Sequence, residues 1–278
     1  GRFDFILAKD GTPKILEFNA DTPTSLLEAS VIQWQWKEDV FPECDQFNGI
    51  HEGLVQSWKD IFPKKGEIYF AGALENNEDT GTLQYLASTA MEAGFSTRVL
   101  DMQALDLQNG RFFDPAGELV NRCFKLYPWE WMVDESPDGC LAEMEWLEPI
   151  WKLVMSNKAI LATLYELFPD SPYVLPCYLS RPRSGLFCKK PVFSREGHNV
   201  SVVDIRNWEE HVRIAETEGD YNTGAYVYQE YVEPTVYSGR YPVIGSWIIG
   251  GEAAGIGIRE NRMEVTDNLS EFVPHIIG

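Results

Sequence analysis

From Glu67 to Leu100 the chain reads strand, helix, strand. Glu67 to Leu74 is apolar and β-prone, Gly81 to Ala93 carries helix formers, Gly94 stops them, and Ser96 to Leu100 is a strand again. Strands joined through a helix pair in parallel, and a parallel sheet is covered on both faces. This unit commits the chain to a doubly wound α/β layer with a core of its own. The flanking sequence has another character. Residues 2–8 and 14–19 alternate like two strands around Asp10-Gly11, a hairpin signal. Helices are expected over 25–38, with Ser25 and Glu28 as a capping box, and over 47–61, ending before Pro63. Two more are expected over 141–154, kinked or broken at Pro149, and over 157–168. From residue 173 short strands and turns dominate: Leu186 to Val192, Ala225 to Val232, Val243 to Ile249 and Ala254 to Arg259. That part reads as antiparallel sheet, so the fold class is α/β combined with α+β. With 278 residues the chain is expected to divide, here into parts 1–62, 63–140 and 141–278.

The formal net charge is −20. A surface this acidic repels phosphate backbones and anionic lipids, which argues against nucleic acid and membrane as partners. Any phosphate bound here needs local help from metal ions and a few placed cations. No apolar run approaches the roughly 20 residues of a membrane span. No signal peptide is visible, and Gly1 to Phe5 already reads as a strand, so the chain is expected to begin inside a domain. Cys44, Cys123, Cys140, Cys177 and Cys188 form no CxxC pair, which reads as reduced thiols in a cytoplasmic protein.

Taking Asp10-Gly11 as a two-residue turn sets Phe5 opposite Leu16, Asp4 opposite Glu17 and Arg2 opposite Asn19. Arg2, Asp4, Glu17 and Asn19 then share one face. Two carboxylates facing each other are destabilising unless something lies between them. A hard cation such as Mg²⁺ suits that place, with oxygen ligands from Asp4, Glu17 and Asn19; a solvated polar face is the alternative. Lys158 starts a helix and Lys190 ends a strand, followed by the polar loop Ser194-Arg195-Glu196-Gly197-His198-Asn199. Such a loop can close over phosphates with its backbone N–H groups, although lysines are mostly solvated surface. Gln229-Glu230 sits where an apolar strand leaves a sheet and could offer backbone groups to an adenine edge and a carboxylate to a ribose; a plain surface strand is the alternative. Gly255 and Gly257 let something approach their strand closely, with Arg259 at its end. Trp34, Trp36, Trp58 and Trp151 are expected in the core. His51, His198 and His275 have no visible orienting partner.

Together these segments resemble the glutathionylspermidine synthase family, in particular its stand-alone acid–amine ligase branch without the amidase domain. The resemblance runs in order through Arg2-Phe-Asp4, Glu17-Phe-Asn19-Ala-Asp21-Thr-Pro-Thr-Ser25, Glu78-Asp79, Phe124-Lys-Leu-Tyr-Pro-Trp-Glu130, Ser156-Asn-Lys158, Lys190-Pro-Val-Phe-Ser-Arg195-Glu-Gly197, Gln229-Glu230 and Gly255-Ile-Gly-Ile-Arg259. It implies a circularly permuted ATP-grasp fold, with residues 63–140 as a pre-ATP-grasp-like domain. It also implies ATP and Mg²⁺, in two ions, as cofactors. By that similarity Asp4, Glu17 and Asn19 ligate metal, and Arg2 and Arg259 contact the transferring phosphate. Lys158, Lys190, Ser194, Arg195, Gly197, Gln229 and Glu230 hold ATP.

The implied reaction is amide formation between an acid and an amine, peptide- or polyamine-like, through an acyl phosphate. Thr22 and Ser25 open a turn suited to a substrate carboxylate or phosphate, or to a plain helix cap. Glu78 and Asp79 could hold an amine, or belong to a solvated first helical turn. Leu126 and Trp131 stand where the bifunctional members carry smaller hydroxyl residues, so the substrates are left open. An ATP-binding regulatory module and an ATP-grasp kinase are the alternative functions.

Overall fold

The computed structural model describes residues 1–195, 197–214, 217, 219, 221, 224–264 and 270–278. The parallel layer forms as read. Its strands lie in the order Ser96–Asp101, Glu67–Gly72, Arg122–Leu126, Glu145–Leu147, all parallel. The crossover helix is Asn77–Glu92 and starts four residues earlier than expected. The Asn76 side chain accepts the Glu78 N–H at 2.9 Å and caps it there. The fourth strand overturns the helix expected over 141–154. Glu145–Leu147 joins the sheet edge, and helix resumes only at Lys152–Ser156. Trp146 decides this by packing edge-on against Phe112 and Trp129 in a closed aromatic cluster, a tertiary contact that outweighs local helix propensity.

Helices Ile50–Ile61 and Asn77–Glu92 cover one face of the parallel sheet, meeting at Trp58, whose indole N–H donates to Thr89 Oγ1 at 2.9 Å. The same core takes in Trp247 from a five-stranded antiparallel sheet, ordered Glu271–Val273, Glu252–Asn261, Tyr241–Ile249, Arg2–Leu7, Pro13–Asn19. A second antiparallel sheet runs Cys177–Tyr178, Tyr226–Glu230, Gly185–Pro191, Ser201–Arg206, Glu209–Ile214.

Ser25 does not cap a helix. Its φ is +63°, in the left-handed region, and a π-helical turn Glu28–Ile32 precedes the α-helix Gln33–Val40. Among the four tryptophans expected in the core only Trp58 is buried, while Trp34 and Trp151 are 41% and 56% exposed. The helix Gln33–Val40 turns Gln33 and Lys37 inward instead, with Lys37 Nζ 4.5 Å from the Trp34 ring centroid. The expected close approach to Gly255 and Gly257 is made by the protein itself. A Cβ would lie 3.0 Å from the Phe47 carbonyl at the first and 3.1 Å from Ala29 Cβ at the second. Among the described residues no helix is long and apolar enough to cross a membrane.

Candidate active site

The two antiparallel sheets line a cleft of about 1220 Å³ when its mouth, open to solvent, is included. The opening hairpin supplies one wall. Its loop has three residues rather than two: Ala8 and Thr12 are bridged at 2.9 Å, and Gly11 takes φ +83°. The pairing near the turn is therefore Phe5 with Ile15, not with Leu16. A bulge then restores the expected register, so Asp4 faces Glu17 and Arg2 faces Asn19. The bulge also points main-chain oxygens across the cleft. Leu16 O accepts from Lys190 Nζ at 3.1 Å, and Ile15 O from Gln229 Nε2 at 2.8 Å.

Asp4 is 3% exposed, so its charge needs partners. Arg2 Nε lies 2.6 Å from Oδ1, and Arg2 Nη2 and Arg259 Nη2 each lie 2.9 Å from Oδ2. Arg2 is also buried, and although burial disfavours its charge, Asp4 raises its pKa above the usual arginine value. Gly245 pairs with Asp4 and leaves room for Arg2, since a Cβ there would stand 2.7 Å from Arg2 Cδ. Glu17 Oε2 is 2.9 Å from Lys158 Nζ, which also donates to Ser194 O at 2.6 Å. Burial would push the Glu17 carboxyl up, but Lys158 and then Lys190 outweigh it and hold it at about 2. Lys190 donates to Gln229 Oε1 at 2.7 Å, and burial lowers its pKa below the usual lysine value.

The donor set suits a hard cation. The Asn19 amide nitrogen lies 3.2 Å from Glu17 Oε1 and 3.5 Å from Asp4 Oδ2. Both carboxylates and the amide thus converge on one point, where a partial positive charge already sits. A cation at that point would meet only oxygen ligands once the amide turned over.

The structure brings most of the candidate residues into this cleft. Arg2, Asp4, Glu17, Asn19, Thr22, Lys158, Lys190, Arg195, Gly197, Gln229, Glu230 and Arg259 all line it. Ser194 reaches it through its carbonyl contact with Lys158, and its buried hydroxyl has no hydrogen-bond partner among the described residues. Ser25, Glu78 and Asp79 are not among the lining residues; Glu78 is exposed on the first turn of Asn77–Glu92. Glu196, inside the loop read from the sequence as a cover, lies outside the described residues. His51 stands instead between Tyr85 and Glu92, each 3.0 Å away. His275 Nδ1 donates to Gln33 Oε1 at 3.0 Å.

Sequence reasoning gave no role to Gly245 or Glu264, and took in Thr24 only as part of the turn from Thr22 to Ser25. Thr24 and Glu264 line the cleft, and the Thr24 carbonyl accepts from Arg2 Nη1. A glycine inside a β-branched run was the available signal at Gly245. Nothing local marks Glu264. Both ends of the Gln229 side-chain amide are engaged within the protein, so that side chain fixes Lys190.

The whole chain, residues 1–278, matches the family model for the glutathionylspermidine synthase preATP-grasp region. A protein of Haemophilus influenzae provisionally named an acid–amine ligase is 39% identical over 99% of this chain and 73% of its own length. Trypanothione synthetase of Crithidia fasciculata is 28% identical, and bifunctional glutathionylspermidine synthetase/amidase of Escherichia coli is 26% identical. The chain spans 46% and 49% of those two proteins. Among solved structures, a glutathione synthetase-like effector of Globodera pallida covers the full chain and 75% of its own, with TM-score 0.62 at 11% identity. A Methylobacillus flagellatus protein provisionally named a gamma-glutamylcysteine synthetase gives TM-score 0.62 at 9% identity, over 99% of this chain and 80% of its own. At those identities the likeness is one of fold.

Proposed function

The chain belongs to the glutathionylspermidine synthase family, and from that premise we propose that it is an ATP-dependent carboxylate–amine ligase working through an acyl phosphate. The observation that carries the reading is the division of labour in one cleft. Oxygen ligands and arginines gather at the hairpin end, as Asp4, Glu17, Asn19, Arg2 and Arg259, and buried lysines stand beside them.

Phosphoryl transfer needs positioning and charge neutralisation rather than a protein nucleophile. Mg²⁺ held by Asp4, Glu17 and Asn19 supplies neutralisation of the phosphates when bound. The protein does the rest. Arg2 and Arg259, both anchored on Asp4, hold positive charge against the transferring phosphoryl group. Lys190 bridges the hairpin to the second sheet, Lys158 ties the hairpin to Ser194, and both grip the nucleotide's phosphates. Glu230 takes the ribose. The Glu230 and Tyr231 N–H groups are engaged by Pro176 O and Leu186 O, so the base edge is assigned to the main chain that follows them, at Val232. Ser194, Arg195 and Gly197 cover the phosphates and exclude water, which would otherwise consume the acyl phosphate before the amine arrives. The fold is read as a circularly permuted ATP-grasp, since the metal hairpin precedes the lysines in the chain.

The test is a screen of acids and amines with ATP and Mg²⁺, following phosphate release. A ligase releases ADP and phosphate only when both an acid and an amine are present, with an amide appearing in equal amount. ATP binding without turnover for every pair, or a phosphorylated acceptor with no free phosphate, overturns the reading.

A further inference from the structure

We propose that the buried ion pair of Asp21 and Lys125 is a positioning element that sets where Arg195 stands in the cleft. Its side chains are 1% and 0% exposed. Asp21 Oδ1 is 2.7 Å from Lys125 Nζ, and Oδ2 accepts the Trp129 N–H at 2.8 Å. Lys125 also donates to Tyr127 O at 2.8 Å and lies 4.2 Å from the Trp129 ring centroid. The N–H groups of Ala20 and Asp21 donate to Ser156 Oγ at 3.1 and 3.0 Å. One carboxylate and its neighbours thus tie together the exit of the hairpin, the strand Arg122–Leu126, the start of the helix Trp129–Glu135 and the end of the helix Lys152–Ser156.

The residues next to this knot are the ones that hold Arg195. Thr22 follows Asp21, and Glu130 follows Trp129. Arg195 Nη1 donates to Thr22 Oγ1, and Nη2 donates to Glu130 Oε1 at 2.9 Å. The separation of the two anchors, and with it the place of the guanidinium, is therefore fixed by how Asp21 docks on Lys125 and Trp129. Stability is a weak reason for such a pair. A buried ion pair replaced as a whole by uncharged groups of similar size is often neutral, whereas removing one partner strands a buried charge. The double replacement is therefore the informative one. Lys125→Met with Asp21→Asn removes both charges and keeps an acceptor for the Trp129 N–H.

This rests on the reading of Arg195 as part of the phosphate cover, and the test separates the two. Hydrogen exchange is measured on peptides containing Ser194 and Arg195, with the strand Glu67–Gly72 as internal control. It is done without nucleotide and again with a non-hydrolysable ATP analogue and Mg²⁺. The double variant is expected to exchange at least tenfold faster than wild type around Arg195 and equally in the control strand. It should match Arg195→Ala, and adding Arg195→Ala to it should cause no further change. Its affinity for the analogue should fall to the same extent as in Arg195→Ala, since both changes displace the same guanidinium while Lys158 and Lys190 keep their contacts with Glu17 and Leu16 O. Wild-type exchange in the double variant, or effects that multiply in the triple variant, overturns the proposal. Faster exchange in the control strand as well would make the pair merely structural and overturns it too. A wild-type protein that fails to bind the analogue sinks the phosphate-cover reading, while the nucleotide-free arms still decide this one. Should the double variant not melt cooperatively, Lys125→Arg, which keeps the charge and shifts its position, is read in the same way.

Discussion

Glu17 is the residue on which the candidate site turns, because its two oxygens face different partners. Oε2 meets Lys158 at 2.9 Å and Oε1 meets the Asn19 amide at 3.2 Å. Against the push of burial, Lys158 and then Lys190 hold its carboxyl at about 2, so it is ionised at neutral pH. Glu17→Gln keeps the volume and removes the charge that both a cation and Lys158 use. Amide formation is expected to fall below a tenth of wild type, about 1.4 kcal/mol of barrier, with an unchanged far-ultraviolet spectrum; a faster variant removes Glu17 from the metal set. A different residue governs pH dependence away from the cleft. Burial lowers the His275 pKa below its usual 6.5. The unfolded chain then takes up a proton at a pH where the folded protein resists it. The neutral ring's contribution is complete above about 6.5 and is lost as pH falls through that value toward the lower folded pKa. Thermal midpoints from pH 7.5 to 5.5 should drop more steeply for wild type than for His275→Gln, and parallel curves would dismiss the ring. The acidic face of the hairpin was legible because side-chain alternation is a local property. The partners of His275 were not, since Gln33 lies 242 residues away.

At the scale of elements, the hairpin shows how a correct face can follow from an incorrect turn. A two-residue loop would pair Phe5 with Leu16; the three-residue loop moves the register by one, and the bulge moves it back before Asp4. Alternation along a strand cannot reveal two offsets that cancel. The helix read over 141–154 failed for another reason. Its residues carry helical propensity, but the sheet edge beside Arg122–Leu126 needed covering, and Trp146 filled the aromatic cluster there. The strand Tyr241–Ile249 was legible from its apolar run, while the use of its glycine was not. Gly245 gives Arg2 the space to lie across the strand toward Asp4. In Gly245→Ala the new methyl would stand 2.7 Å from Arg2 Cδ, so Arg2 must leave its place. The expected result is a loss of turnover of about tenfold or more. The backbone there is ordinary, but Asp4 loses a buried partner, so the thermal midpoint should fall as well, by several degrees, with the fold retained. Full activity in this variant would mean that Arg2 has room to spare and that its position is not critical.

Across the whole molecule the decisive quantity is charge. The chain carries −20, yet the described lining of the cleft has five cationic side chains, Arg2, Lys158, Lys190, Arg195 and Arg259, against four carboxylates, Asp4, Glu17, Glu230 and Glu264. Folding has concentrated cations from both antiparallel sheets into an interior that the acidic surface encloses. Composition announced the surface but not this inversion, because it depends on distant segments meeting: Arg259 on Asp4, Lys190 on Leu16, Arg195 on Thr22. The inversion is incomplete. A nucleoside triphosphate brings several negative charges to a cleft that is close to neutral overall, and three of the five cations already pair with carboxylates inside it. Beyond the cleft, screening at about 0.1 M salt extends over roughly 10 Å, so the outer surface adds a further repulsion at low salt. A cation at Asp4, Glu17 and Asn19 removes the excess where the phosphates would lie. Affinity for a non-hydrolysable ATP analogue, measured by calorimetry, is therefore expected to drop at least tenfold when EDTA replaces Mg²⁺. The drop should be larger at low ionic strength than at high, and it should shrink in Glu17→Gln. Equal affinity with and without EDTA would mean that Arg2, Lys158, Lys190 and Arg259 neutralise the nucleotide unaided, and the carboxylate pair of the hairpin would lose its assigned purpose.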